Sequence, residues 1–210
     1  MSGAKNSIFK KIRMALTQST PIPFPKSEGS DPVVQPQPEE DIVVTFAEEF
    51  TRLQGKFAFC LNEEELQQQL GLLRVQQEWT KVFVPDGPLA SLVPDEARTR
   101  DIVTCDASIT DCEALVARTG TIVLSAKNGG RVTSVYAPVH VCVARASQLV
   151  YDLGDALKLL QQRYAGRLPS QISFATGPSR TADIEKTLVT GVHGPKEVYL
   201  FLVDDLPSTP

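Results

Sequence analysis

Between Phe174 and Lys196 the chain reads Phe-Ala-Thr-Gly-Pro-Ser-Arg-Thr-Ala-Asp-Ile-Glu-Lys-Thr-Leu-Val-Thr-Gly-Val-His-Gly-Pro-Lys. The hydroxyls of Ser179 and Thr181, the guanidinium of Arg180, the carboxylates of Asp183 and Glu185 and the imidazole of His193 fall in this one stretch. Gly177, Pro178, Gly191, Gly194 and Pro195 punctuate it. Core-building does not ask for that density of turn formers and reactive groups, whereas a ligand-facing connection does. The Gly177 loop can offer main-chain N–H groups, two hydroxyls and Arg180 to an anion. His193, in a glycine-rich loop, can serve as acid, base or donor to an anion, and Asp183 is a second candidate base. Asp183 and Glu185 already bring negative charge to the same place. A small carboxylate or a polar neutral molecule therefore fits as well as a phosphate. A purely architectural alternative has Ser179 and Thr181 capping a helix and Arg180 paired with Asp183.

These residues need elements to hold them. Gln171 to Thr176 reads as a strand that ends at Gly177 and Pro178. Thr181 is placed to cap a short helix over Ala182 to Val189, with Ile184, Leu188 and Val189 as its apolar side and Gly191 as its stop. Glu197 to Asp204 is apolar enough for a strand buried on both faces. Strand, helix and strand form a right-handed βαβ unit. Ligands of open parallel sheets sit beyond the carboxyl ends of the strands, which is where this reading puts Gly177 to Arg180.

Upstream, helical spacing marks Val44 to Gln54, with Phe46, Ala47, Phe50 and Leu53 on one side and Gly55 as stop. Lys56 to Cys60 is a strand. Asn62 with Glu65 opens a helix running to about Gln77. Lys81 to Val84 and Asp101 to Cys105 are further strands, and the alternation predicts a parallel sheet flanked by helices. Ala114 to Ala117 and Thr121 to Leu124 then form a hairpin about Arg118-Thr119-Gly120, with Gly120 taking the unusual backbone angle. Ser125 to Arg131 is a polar loop. Its Gly129-Gly130-Arg131 either admits close backbone approach to a ligand or makes a surface turn. Val139 to Ala144 is a core strand in which His140 reads as a packed, hydrogen-bonded residue. Leu153 to Tyr164 is an amphipathic helix.

Before all of this, residues 1–18 hold a basic amphipathic helix, with Ile8, Phe9, Ile12 and Leu16 against Lys5, Lys10, Lys11 and Arg13. It either packs on its own domain or a second subunit, or docks on an acidic partner or membrane face. Residues 19–40 are a proline-rich linker, and 41–207 are the folded domain.

Composition narrows the function. The chain has 210 residues, 42% of them hydrophobic, and a net charge of −4. A nucleic-acid binder needs a basic face, so nucleic acid is not an expected partner. No apolar run approaches a membrane span, no signal peptide is evident, and the expected location is cytoplasmic. Cys60, Cys105, Cys112 and Cys142 are too widely spaced for a cluster or metal motif. Three of them read as buried apolar residues. Cys112, near a loop, is the one to test for reactivity. Two distant histidines make no metal site. Walker, nucleophile-elbow and dinucleotide-binding motifs are lacking, so no cofactor is expected in this chain.

Taken together, Gly-Pro-Ser-Arg-Thr-Ala-Asp-Ile-Glu (177–185) and Gly-Val-His-Gly-Pro (191–195) resemble the signature of LUD-domain proteins of the LutC/YkgG type. Ala-Arg-Thr-Gly-Thr-Ile-Val-Leu-Ser (117–125) and Ala-Pro-Val-His-Val (137–141) match further family segments. The resemblance implies an α/β three-layer sandwich with a mostly parallel sheet, similar to the NagB/RpiA/CoA-transferase-like fold. It implies a part in bacterial oxidation of L-lactate to pyruvate. The partners would be an iron–sulfur LUD protein and a cysteine-rich iron–sulfur protein, which carry the clusters. It also implies that Thr119, Gly120, Gly130 and Arg131 face the same cleft as Gly177, Ser179, Arg180 and Thr181, there to bind a small carboxylate or phosphate. Two alternatives stand beside it. One is a separate enzyme on a phosphorylated or CoA-linked substrate, with Arg180 on the anion and His193 or Asp183 as base. The other is a non-catalytic assembly subunit.

Overall fold

The computed structural model describes residues 2–17, 41–127, 130, 132–181, 189–191 and 193–206. The chain divides into two units, residues 1–37 and 38–210. In the first, helix α1 (Ser2–Thr17) leaves Ile8, Phe9 and Ile12 exposed.

The second unit holds, in order, α2 (Ile42–Arg52), β1 (Lys56–Cys60), α3 (Glu63–Gln76), β2 (Val82–Phe83), β3 (Arg98–Thr99), β4 (Ala107–Thr110), β5 (Ala114–Val116), β6 (Thr121–Ser125), α4 (Thr133–Tyr136), β7 (Val139–Arg145), β8 (Leu149–Val150), α5 (Leu153–Arg163), β9 (Ile172–Ala175), β10 (Arg180–Thr181), β11 (Val189–Thr190) and β12 (Glu197–Val203). Six strands make a parallel sheet in the order β1-β12-β7-β4-β2-β3. A second sheet, β8-β5-β6-β9, is mixed, and β10 pairs with β11 as a small antiparallel ribbon.

Strand alternation decides which side chains meet. From β12, Tyr199, Phe201 and Val203 point into a core with Leu66 and Leu70 of α3. Val198, Leu200 and Leu202 point the other way, into a core with Phe46 and Phe50 of α2 and with Leu115, Ile122 and Leu124 of the smaller sheet. The outer side of the smaller sheet packs Ala114, Val116 and Val123 on Ala156 and Leu160 of α5. The result is a three-layer α/β sandwich: α3, the parallel sheet, and a layer made of α2 and the smaller sheet backed by α5.

Local chemistry sets the element ends. Asp41 caps α2 by accepting from the Val43 amide at 2.8 Å. Asn62 caps α3 by accepting from the Glu65 amide at 2.9 Å, while Glu65 reaches back to the Leu61 amide at 2.8 Å. The buried carboxylate of Glu113 ties the smaller sheet to α5. It accepts from Ser125, Tyr164 and Arg163, each at 2.6 Å. Burial pushes this carboxyl up, but the three donors outweigh burial and hold it below the usual glutamate range.

Four expectations are corrected. Asp101 to Cys105 is a turn, not a strand, because the Asp101 carboxylate accepts from the Val103 amide and the Thr104 hydroxyl and so competes with a ladder. Strand β9 and strand β12 lie in different sheets, so residues 171–204 are not a βαβ unit of one sheet. Thr181, expected to cap a helix, and Val189, expected to be its last residue, pair across the antiparallel ribbon. The intervening 182–188 lie outside the described residues. Cys112 is 3% exposed and sits in the same core as Cys142, so it is not a surface thiol. The bond to Cys112 and burial push the Cys142 thiol up, and burial raises Cys60 to about 11.

The β5–β6 hairpin forms as expected, and its turn has a second duty. Gly120 is left-handed (φ 57°, ψ 38°), and a Cβ there would come within 2.5 Å of the Phe50 amide nitrogen on α2. The strained backbone angle and the clash with an immovable helix backbone add. Gly120→Ala is therefore expected to lower stability by at least about 2 kcal/mol. Urea unfolding will show this as a lower midpoint with an unchanged slope.

Candidate functional site

Both histidines of the chain line one cavity of about 270 Å3. It opens between the two sheets. His140 and Val198 come from the starts of β7 and β12, where they are register partners. Ser173, Phe174 and Ala175 come from β9, Leu124 from β6, and Ser134 and Val135 from α4. Gly177, Pro178 and Ser179 close one side, and His193, Gly194 and Pro195 close another. An adjoining hollow of about 350 Å3 shares Val135, His193 and Gly194 and adds Tyr136, Gly191 and Lys196.

Backbone bonds hold the lining loops together. The Ser179 amide donates to the Pro195 carbonyl and the Gly191 amide to the Ser179 carbonyl, both at 2.9 Å. The Lys196 amide donates to the Pro138 carbonyl at 2.8 Å, joining the lead-in segments of β12 and β7. Ser179 lies so close to the histidine loop that a Cβ on Gly194 would sit 2.8 Å from its own Cβ. Gly177 (φ 81°) passes the end of α2, where a Cβ would meet the Leu53 carbonyl oxygen at 2.6 Å. The Ser108 hydroxyl donates to the Thr133 carbonyl at 2.7 Å and so anchors α4 beside the cavity.

His140 is 1% exposed. Its Nε2 lies 2.9 Å from the Thr110 hydroxyl oxygen. Burial pushes its pKa down to about 4. At neutral pH it is therefore an uncharged imidazole, able to exchange a hydrogen bond or a proton with a bound molecule but supplying no cation. His193, by contrast, is exposed at the junction of the two hollows.

The remaining residues singled out from the sequence are placed as follows. Gly177, Ser179 and His193 come together at the cavity. Arg180 is exposed, pairs with Thr190 in the ribbon and is not among the lining residues; Thr181 is its neighbour in β10. Thr119 stands behind the cavity, its hydroxyl 2.8 Å from that of Thr121, which is 2.9 Å from that of the lining residue Thr176. Gly120 packs on α2 rather than lining the cavity. Gly130 is exposed, its amide donating to the Ala126 carbonyl at 3.1 Å. Asp183 and Arg131 lie outside the described residues. The cavity also lies at the amino ends of the parallel strands β7 and β12, not beyond their carboxyl ends. Sequence reasoning read His140 only as a packed core residue and gave Lys196 no role. The available signal was His140's place two residues after Pro138 in a strand-initiating segment.

Among the described residues no group of three or more His, Cys, Asp and Glu side chains could hold a metal ion, and no helix is long and apolar enough to cross a membrane.

Buried His140 makes stability depend on pH. In the unfolded chain a histidine takes up a proton from about pH 6.5 downward, whereas in the fold it does so only near 4. The unfolded state thus binds more protons between those values, and stability falls as pH falls. From pH 7 to pH 5 this contributes a loss of about 2 kcal/mol. Urea unfolding at the two pH values should show a pH-dependent loss smaller by that amount in His140→Asn, whatever that variant's stability at pH 7.

Comparison with known proteins follows the same span of chain. The family model for the LUD domain matches residues 57–203. A lactate utilization protein C of Shouchella clausii is 40% identical over 102 residues, 48% of this chain and 44% of that protein. The matched stretch thus spans less than half of that relative's length. One from Exiguobacterium is 27% identical over 223 residues, 96% of each chain. A crystal structure of a DUF162 family protein from Deinococcus radiodurans superposes with a TM-score of 0.60 at 20% identity, covering 77% of this chain and 96% of that one. At that identity the likeness speaks for the fold.

Proposed function

We propose that this chain, which belongs to the LUD-domain family, takes part in lactate utilisation by binding a small carboxylate in the cavity between its two sheets. The observation that carries the reading is the convergence of His140, His193 and Ser179 on one cavity bounded by mostly apolar side chains. Ligand sites have this character: an apolar enclosure with a few directed polar groups. The pathway comes from the lactate utilization protein C relatives, at both partial and near-complete coverage.

In this reading the reaction of the assembly is oxidation of L-lactate to pyruvate, and iron–sulfur partner proteins carry the electrons. The contribution of this chain is to hold a carboxylic acid. Ser179 and His193 offer hydrogen bonds, and His140, uncharged and fixed by Thr110, offers a directed imidazole nitrogen for a hydrogen bond or a proton. The burial of His140 keeps it in that uncharged form across the neutral range.

Two measurements check the reading. A strain lacking this gene should fail to grow on L-lactate as sole carbon source and recover with the wild-type gene but not with His193→Ala. Purified protein at a hundredfold excess of L-lactate over its Kd should gain about 2.7 kcal/mol, a rise in Tm of roughly 5–10 °C for a chain of this size, and His193→Ala should lose it. Undiminished growth of the deletion strain, or no rise with L-lactate or pyruvate at any concentration, defeats it.

A further inference from the structure

The inner cavity is large for lactate. Its volume of about 270 Å3 equals on the order of nine water-sized volumes of about 30 Å3. Lactate, a methyl and a hydroxyl on one carbon beside a carboxylate, fills a minor part of it. The buried Leu124, Pro178, Pro195 and Val198 are apolar lining, and Phe174, 42% exposed, adds an aromatic wall that solvent now touches. His140 supplies no cation inside. A carboxylate placed at the closed end, away from Ser179 and His193, would be a desolvated anion without a counter-charge, which is strongly unfavourable.

The cation is next door. Lys196 lines the adjoining hollow with Tyr136, and His193 borders both spaces. Apolar and cationic compartments thus stand side by side, with a histidine at their junction. Val135, 47% exposed, lies on the shared boundary and extends the apolar surface toward the opening.

We infer that the occupant is an amphipathic 2-hydroxy or 2-oxo acid whose side chain is the size of a benzyl group rather than a methyl, bound with that side chain in the inner cavity and its carboxylate at Lys196. The inference rests on the reading of this site as a carboxylate site and adds the size and direction of the ligand. The 2-oxygen then falls at the junction, toward His193. Burying a phenyl ring against these walls removes far more apolar area from water than burying a methyl does, so the larger acid binds more tightly.

Isothermal titration of the full chain with L-3-phenyllactate and with L-lactate tests this. Phenyllactate should bind at least tenfold more tightly. Phe174→Ser, at a half-exposed position, should erase most of that preference. Lys196→Gln should weaken both acids. Equal affinity for the two acids, or a preference untouched by Phe174→Ser, overturns the inference and leaves the carboxylate reading standing. Absence of binding by either acid overturns both.

Discussion

Two phenyl rings on one helix govern the molecule. Phe46 and Phe50 are fully buried, stacked with centroids 5.5 Å apart, and belong to a core that takes side chains from both sheets. Aromatic side chains bury the most area per residue, and this pair is shared by the parallel sheet and the smaller sheet. The β5–β6 turn comes down on the same helix through Gly120, where backbone meets backbone. Helix α2 thereby fixes the smaller sheet against the larger one. Everything that lines the cavity hangs from one of those two sheets or from a loop between them.

The site follows from that arrangement. Open parallel sheets present ligands at the carboxyl ends of their strands because the connecting loops diverge there. Here a second sheet covers one face of the first, and the open space lies where the end of β9 passes the starts of β7 and β12. Pro138 and Pro195 lead into those starts and are joined through the Lys196 amide. Prolines cannot extend a ladder in that position, so the lead-in segments turn aside and leave room. His140, one residue into β7, is then at once a core residue and a wall of the cavity.

Much of this was legible in the sequence wherever the cause was local. Helical spacing located α2, α3 and α5, the apolar run of β12 announced a strand buried on both faces, and Gly120 marked its hairpin. The capping residue Asn62 marked the start of α3. What was not legible depended on pairing at a distance. Nothing near Ile172–Ala175 states that β9 joins β6 rather than the sheet of β12, and the βαβ reading failed on that one choice. The turn at Asp101 was lost because its apolar neighbours Ile102 and Val103 imitate a strand, while the deciding bonds come from a side chain. His140 looked like a core histidine and is one. Its second role appears only when β9 and the Gly177 loop are brought across from another sheet.

The distance between the two sheets is also the width of the cavity. That width is a property of the core, set by rings that do not line the cavity. The room between the two sheets is therefore inherited from packing. Relatives with identical Gly177 and His193 loops but differently filled cores would differ in the width of this cavity. Exchanging the loops alone would carry hydrogen-bonding groups from one protein to another without carrying the dimensions of the space they face.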